Sequence, residues 1–196
     1  MAVDGYMYFQ NYQRLGGGYL KSESQVDLAN NSEPLCKQFK FTDVSKADGL
    51  FEIEDFSFDI EQTLNIGSQS TGAGAGKVTF NPFSITRKID RCSPTFYENA
   101  CSGTPFQQVT LGLRKASGGK AAGQIYLVFN FKLVAVKTVS WSYDDESPKE
   151  TVTFEYGGLQ VFYNMQKPDG SMDGNYKGGW NRVKNVSDQT ADPIGS

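Results

Sequence analysis

Residues Gly76–Arg114 read GKVTFNPFSITRKIDRCSPTFYENACSGTPFQQVTLGLR, and the order within that run decides the fold: strand, charged turn, short helix, strand. From Lys77 to Arg87 the apolar residues Val78, Phe80, Phe83 and Ile85 recur in near alternation, the pattern of a strand with one dry face. The inward phase changes between Phe80 and Phe83. Pro82 stands beside the slip, which predicts a bulge or an edge position where a missing N–H is tolerated. Ser93-Pro94 reads as an N-cap followed by proline at the first helical position, with Phe96, Tyr97 and Ala100 covering an apolar patch. Gly103 is the expected stop.

Outward from this run, strand patterns dominate. Tyr6–Phe9 reads as a first strand, and Gln25–Leu28 as a short one. In Leu50–Leu64, Phe51 and Ile53 share one phase, whereas Phe56, Phe58 and Ile60 share the other; the slip at Glu54-Asp55 predicts a bulge that bends a long strand. Ser57, Asp59 and Glu61 form the row opposite these aromatics, read either as a solvated sheet face or as an aqueous surface used for cargo. Pro105–Lys115 alternates again. Gln124–Val136 is the most apolar run and the expected central strand, continuing through Lys137–Tyr143 after a bend. Glu150–Tyr163 alternates until Gly157-Gly158 breaks the pattern, a mark of a bulge or close backbone approach. Tyr176–Arg182 is the last expected strand. The polar stretch Gly16–Gly49, with Gly16, Gly17 and Gly18 at its start, is too long for an ordinary connection and is read as an excursion from the sheet. Ser187–Ser196 is expected to fray.

Composition bounds the function. The 196 residues suit one domain, and 14 Phe, 10 Tyr and 21 Gly favour β structure. A net charge of −3 and a pI near 5.1 argue against nucleic-acid binding. No apolar run is long enough to span a membrane. The N-terminus MAVDGYMYF lacks the basic and apolar regions of a classical signal peptide, so synthesis in the cytoplasm is expected. Three cysteines, Cys36, Cys92 and Cys101, favour reduced thiols, with Cys101 read as a small buried hydrophobe rather than a reactive thiol.

The chain contains no histidine, which removes histidine acid–base chemistry and Ser-His or Cys-His nucleophile pairs. Gly67–Gly76 ends in Gly-Lys, but Thr71 and Val78 stand where a phosphate loop needs Gly and Ser or Thr. Carboxylates at Glu52, Glu54, Asp55, Asp59 and Glu61, and at Asp144, Asp145 and Glu146, form no evident acid–base pair. No catalytic, cofactor or metal site is expected. From the residues alone the reading stops at a β-barrel-like protein that associates with itself.

The order GAGAGKV, then Ser84-Ile85-Thr86, Ile89-Asp90, Ser93-Pro94-Thr95 and Ala100-Cys101-Ser102-Gly103 resembles the Hcp family, the inner-tube proteins of bacterial type VI secretion. Leu113-Arg114-Lys115-Ala116, Gln166-Lys167-Pro168-Asp169-Gly170 and Gly178-Gly179-Trp180-Asn181 extend the resemblance along the chain. It implies a single-domain, mainly β barrel of two sheets flanked by one short helix, with a long N-terminal loop. It further implies a non-enzymatic subunit of homohexameric rings that stack, carry effectors in the lumen and meet a spike and a sheath. Such a protein leaves the cell through the type VI system itself. Under this resemblance Ser57, Asp59 and Glu61 are expected to face the lumen, and Gly16, Gly17, Gly18, Tyr19, Asp43 and Asp48 to lie on a loop that contacts the next ring. The alternative is a carbohydrate-binding or adhesion β-sandwich module.

Overall fold

The computed structural model describes residues 3–12, 19–26, 35, 49–64, 75–115, 124–143, 147–168 and 172–188. Eleven strands and a helix are laid out in chain order: β1 (Val3–Tyr12), β2 (Phe51–Ile53), β3 (Asp55–Ser57), β4 (Ile60–Leu64), β5 (Ala75–Phe80), β6 (Phe83–Lys88), α1 (Ser93–Ser102), β7 (Phe106–Lys115), β8 (Ile125–Tyr143), β9 (Pro148–Gln166), β10 (Met172–Asn181) and β11 (Val186–Ser187). Nine strands form one antiparallel sheet, and β4 with β5 forms a separate two-stranded sheet. The mainly β architecture, the two sheets and the short helix match expectation. The closed barrel does not: the path β11-β10-β9-β8-β7-β1-β2 ends at β2, while β3 pairs with β6. At Glu54 the chain passes from pairing with β1 to pairing with β6, so the two ends of the sheet are joined by covalent chain rather than by strand pairing. That change of partner is the physical content of the phase slip at Glu54-Asp55.

The slip beside Pro82 has a similar origin. Asn81 and Pro82 separate β5, in the small sheet, from β6, in the large one. Phe83, Ile85 and Arg87 then point inward together.

A third slip lies in the β8–β9 ribbon. The core takes Val152, Phe154 and Tyr156 from the first half of β9, then Leu159 and Val161 from the second. Across the ribbon it takes Phe129 and Phe131, then Val134 and Val136. Both strands change phase at one level without losing register: Leu133 sits between the pairs Lys132–Gly158 and Val134–Tyr156. Leu133 has φ 49°, a left-handed conformation that costs a leucine about 1–2 kcal/mol. Gly157 and Gly158 stand opposite, where the absence of side chains leaves room for the reversal.

The core is an aromatic stack. Phe83 lies 4.0 Å from Phe131 and 4.8 Å from Phe154, both near parallel. Phe9 meets Phe51, Phe96, Phe106 and Phe154 at centroid distances of 5.0–5.8 Å, tilted or edge-on, as ring quadrupoles prefer. A smaller cluster of Tyr8, Leu35, Leu50, Ile125, Val128 and Phe162 packs separately, with Tyr19 and Val26 against it.

Four local expectations change. Residues 24–26 form no strand. The N-cap is Cys92, with Ser93 and Pro94 already inside the helix, because the Ser93 hydroxyl is drawn to Glu150. Gly103 ends the helix in the left-handed region at φ 69°, its N–H donating to the Asn99 carbonyl, as expected of a C-terminal glycine. Tyr97 leaves the apolar patch, standing 54% exposed while Phe96 is fully buried. Cys101 is exposed rather than buried, since the core-facing positions of α1 are Ser93, Phe96 and Asn99. Finally, the part of the 16–49 stretch described at 19–26 lies against the sheet: Leu20 is buried, its N–H donates to the Phe9 carbonyl, and Tyr19 packs 5.6 Å from Tyr8.

Removing the central ring tests this packing. Phe83→Ala should lower unfolding free energy by about 3–5 kcal/mol in urea denaturation, whereas truncating the exposed Tyr143 should change it by less than about 0.5 kcal/mol.

Candidate functional site

Three features stand out from the core: a lateral arm, an acidic row at its base and a buried polar cluster under α1. The arm is the β4–β5 pair. Ile60, Glu61, Gln62 and Thr63 are all exposed, so both faces of β4 are open in a single copy. At its base, the Asn81 amide donates to the Asp59 carboxylate at 2.6 Å and the Asn81 N–H to the Asp59 carbonyl at 3.1 Å, clamping the corner. Ser57 pairs with Ser84 across β3–β6, their hydroxyls 2.9 Å apart.

Ser57, Asp59 and Glu61 are therefore exposed, but they do not form one continuous strand row. Ser57 ends β3 in the large sheet, Asp59 holds the corner and Glu61 lies in the small sheet. Ile60 is 48% exposed, so the aromatic row of Phe56 and Phe58 does not continue to it. Of the loop residues, Tyr19 rests on Tyr8; Gly16, Gly17, Gly18, Asp43 and Asp48 lie outside the described residues.

The polar cluster was not anticipated from the sequence. Arg87 and Glu150 are register partners on β6 and β9 and are 3% and 0% exposed. The Arg87 guanidinium pairs with Asp90, lies 3.4 Å from Glu150 and sits over the rings of Phe51 and Phe96. Glu150 accepts hydrogen bonds from the Ser93 hydroxyl at 2.9 Å and the Trp141 indole at 3.0 Å. One buried carboxylate thus ties β6, β8, β9 and α1 together. A signal was available, since Arg87 continues the inward phase of Phe83 and Ile85; only the strand register identifies Glu150 as its partner.

A second arginine closes a gap in the sheet. On one edge, β9 pairs with β6 through Lys149–Phe154 and with β10 through Gly158–Gln166. Arg182 fills the interval, donating to the Tyr156 carbonyl at 2.6 Å and the Phe80 carbonyl at 3.3 Å, with its guanidinium over both rings.

Burial pushes the Cys92 thiol up to about 12 from its ordinary 9.0, with Asp90 adding to the effect, and the thiol donates to the Lys21 carbonyl. Burial likewise raises Tyr6 and Tyr156 to about 12 from 10.0. Among the described residues, no group of three or more His, Cys, Asp or Glu is placed to hold a metal ion. No helix among them is long and apolar enough to cross a membrane.

Solved structures place this geometry in a class. A type six secretion system protein superposes with a TM-score of 0.72 at 20% identity, over 95% of this chain and 100% of that one. Hcp1 from Salmonella typhimurium superposes with a TM-score of 0.65 at 19% identity, over 96% of this chain and 100% of that one. The fold is thus the mainly β, Hcp-like fold. Sequence then narrows the class: a family model described as type VI secretion system effector, Hcp, matches residues 42–163. Protein hcp1 of Pseudomonas aeruginosa is 38% identical over 113 residues, covering 56% of this chain and 68% of that protein. The chain belongs to the Hcp family of type VI secretion proteins.

Two measurements check the buried groups. Glu150→Ala should destabilise by about 3–5 kcal/mol, because it strands the Arg87 guanidinium, and should shift Trp141 fluorescence by freeing the indole. The raised Cys92, Tyr6 and Tyr156 values mean the unfolded chain loses protons first, so their contribution is complete below pH 9. Stability should then fall as pH rises towards 12, seen as a declining urea midpoint over that window.

Proposed function

We propose that this protein is a structural subunit of the type VI secretion inner tube, forming six-membered rings that stack and carry effectors in their lumen. The observation that carries this reading, together with family membership, is the β4–β5 arm. A two-stranded sheet alone is marginally stable in water, and here β4 is exposed on both faces in one copy. A neighbouring copy would cover it, including the half-exposed Ile60. Contact of a shared kind, repeated by rotation, closes a ring.

In this proposal the wall is the nine-stranded sheet, curved so that β2 and β3 meet at Glu54, a barrel in outline. Ser57, Asp59 and Glu61 face the lumen. The 16–49 segment, with Gly16, Gly17, Gly18, Tyr19, Asp43 and Asp48, contacts the next ring, and its 19–26 portion is the anchored base. The partners are further copies of the chain and the spike, sheath and effector proteins of the apparatus. The role is mechanical and requires no cofactor.

Native mass spectrometry tests the ring. Six chains of 21.6 kDa give about 130 kDa, and Ile60→Arg should return the species to the mass of one chain. A wild-type chain that stays at 21.6 kDa at every concentration overturns the ring. For the lumen, Glu61→Arg should leave the ring intact and reduce co-purification of a defined effector; unchanged effector recovery removes the assignment.

A further inference from the structure

A groove of about 560 Å³ lies between the extended 22–25 segment, β2 and the end of β6. Its volume falls in the range of ligand sites. The floor is apolar, with Phe51 and Ile53, and four carboxylates line it: Glu23, Glu52, Glu54 and Asp90. Two of these have cationic partners, Glu54 with Lys149 at 3.5 Å and Asp90 with Arg87. The other two are held by neutral donors: Glu52 accepts from the Ser24 hydroxyl at 2.7 Å, and Glu23 from the Arg91 backbone N–H at 3.2 Å. Neither carboxylate therefore has its charge matched by a salt-bridge cation.

The groove also contains an unspent donor. Arg87, 3% exposed, lines it, and its Nη1 has no hydrogen-bond acceptor although Glu150 lies 3.4 Å away. An unsatisfied buried N–H costs free energy that an incoming acceptor recovers. Strand β2 is moreover the terminal strand of its sheet path, so its outer edge is open to an added chain.

We infer that this groove binds a short, extended, lysine- or arginine-bearing peptide segment of a partner protein. The cationic head groups meet Glu23 and Glu52, their methylene stems cover Phe51 and Ile53, and a peptide carbonyl accepts the Arg87 Nη1 proton. Small anions fit poorly, because four carboxylates outnumber Arg87 and Lys88 along the lining. Recognition of an extended chain by a sheet edge supplies backbone hydrogen bonds, and the flanking side chains supply selectivity. The inference does not depend on ring formation.

The experiment uses the full-length chain and two fluorescein-labelled peptides, Ala-Lys-Val-Lys-Ala and Ala-Glu-Val-Glu-Ala, read by fluorescence anisotropy. The basic peptide should bind, less tightly as salt is raised, and the acidic one should not. The combined change Glu23→Gln and Glu52→Gln, at exposed positions, should weaken binding by about tenfold or more with the unfolding midpoint unchanged. Absence of binding, equal binding of the acidic peptide, or indifference to the double change would overturn the inference. Native mass is recorded on the same samples. If the double change instead alters the oligomeric state, the groove is a contact between copies and the partner-peptide assignment falls. An intact ring that binds no basic peptide sinks only the groove, and a monomer that binds it sinks only the ring.

Discussion

The structure depends on one strand serving two neighbours along a single edge. β9 is bonded along its whole length to β8, but its other edge is divided between β6 and β10. The two neighbours belong to different parts of the chain, and the core they cover is reached from different phases of β9. The ribbon meets this demand by reversing its inward face at Leu133 and Gly157-Gly158, accepting a left-handed leucine to do so. Arg182 then supplies, with side-chain donors, the backbone hydrogen bond that neither β6 nor β10 reaches.

The buried ion pair solves a related problem at the other end of the ribbon. Arg87 and Glu150 are brought face to face by register, and a pair of buried charges gains little over apolar packing unless its remaining donors and acceptors are occupied. Ser93, Trp141 and Asp90 occupy most of them, and in doing so fix where α1 docks. The helix is short and starts without a side-chain cap, so this docking contributes more to its position than its own propensity does.

Much of this was legible in the sequence, for reasons that differ by residue. Alternation located the strands, and Gly103 marked the helix end because few other residues accept its conformation. The phase slips at Glu54-Asp55, Pro82 and Gly157-Gly158 were visible as breaks in period. Their meaning, a change of partner or of buried face, depends on which strands lie alongside, and periodicity within one segment carries no such information. Tyr97 and Cys101 were misassigned because a helix of ten residues offers too few turns for its apolar stripe to be unambiguous. Glu150 was invisible as a buried acid because its partner lies 63 positions earlier in the chain, from Arg87 to Glu150. The acidic row was read as continuous because alternation assumes one strand, whereas the chain there crosses from one sheet to another.

The Arg182 wedge also has a mechanical consequence. β10 is an antiparallel neighbour of β9, and Arg182 follows its last residue. A pull on the C-terminal end of the chain therefore loads the β9–β10 hydrogen bonds one at a time, from Asn181 backwards, rather than together. The first resistance it meets is the guanidinium held between Tyr156 and Phe80, so a single side chain acts as the latch that keeps an otherwise easily peeled edge strand attached under load.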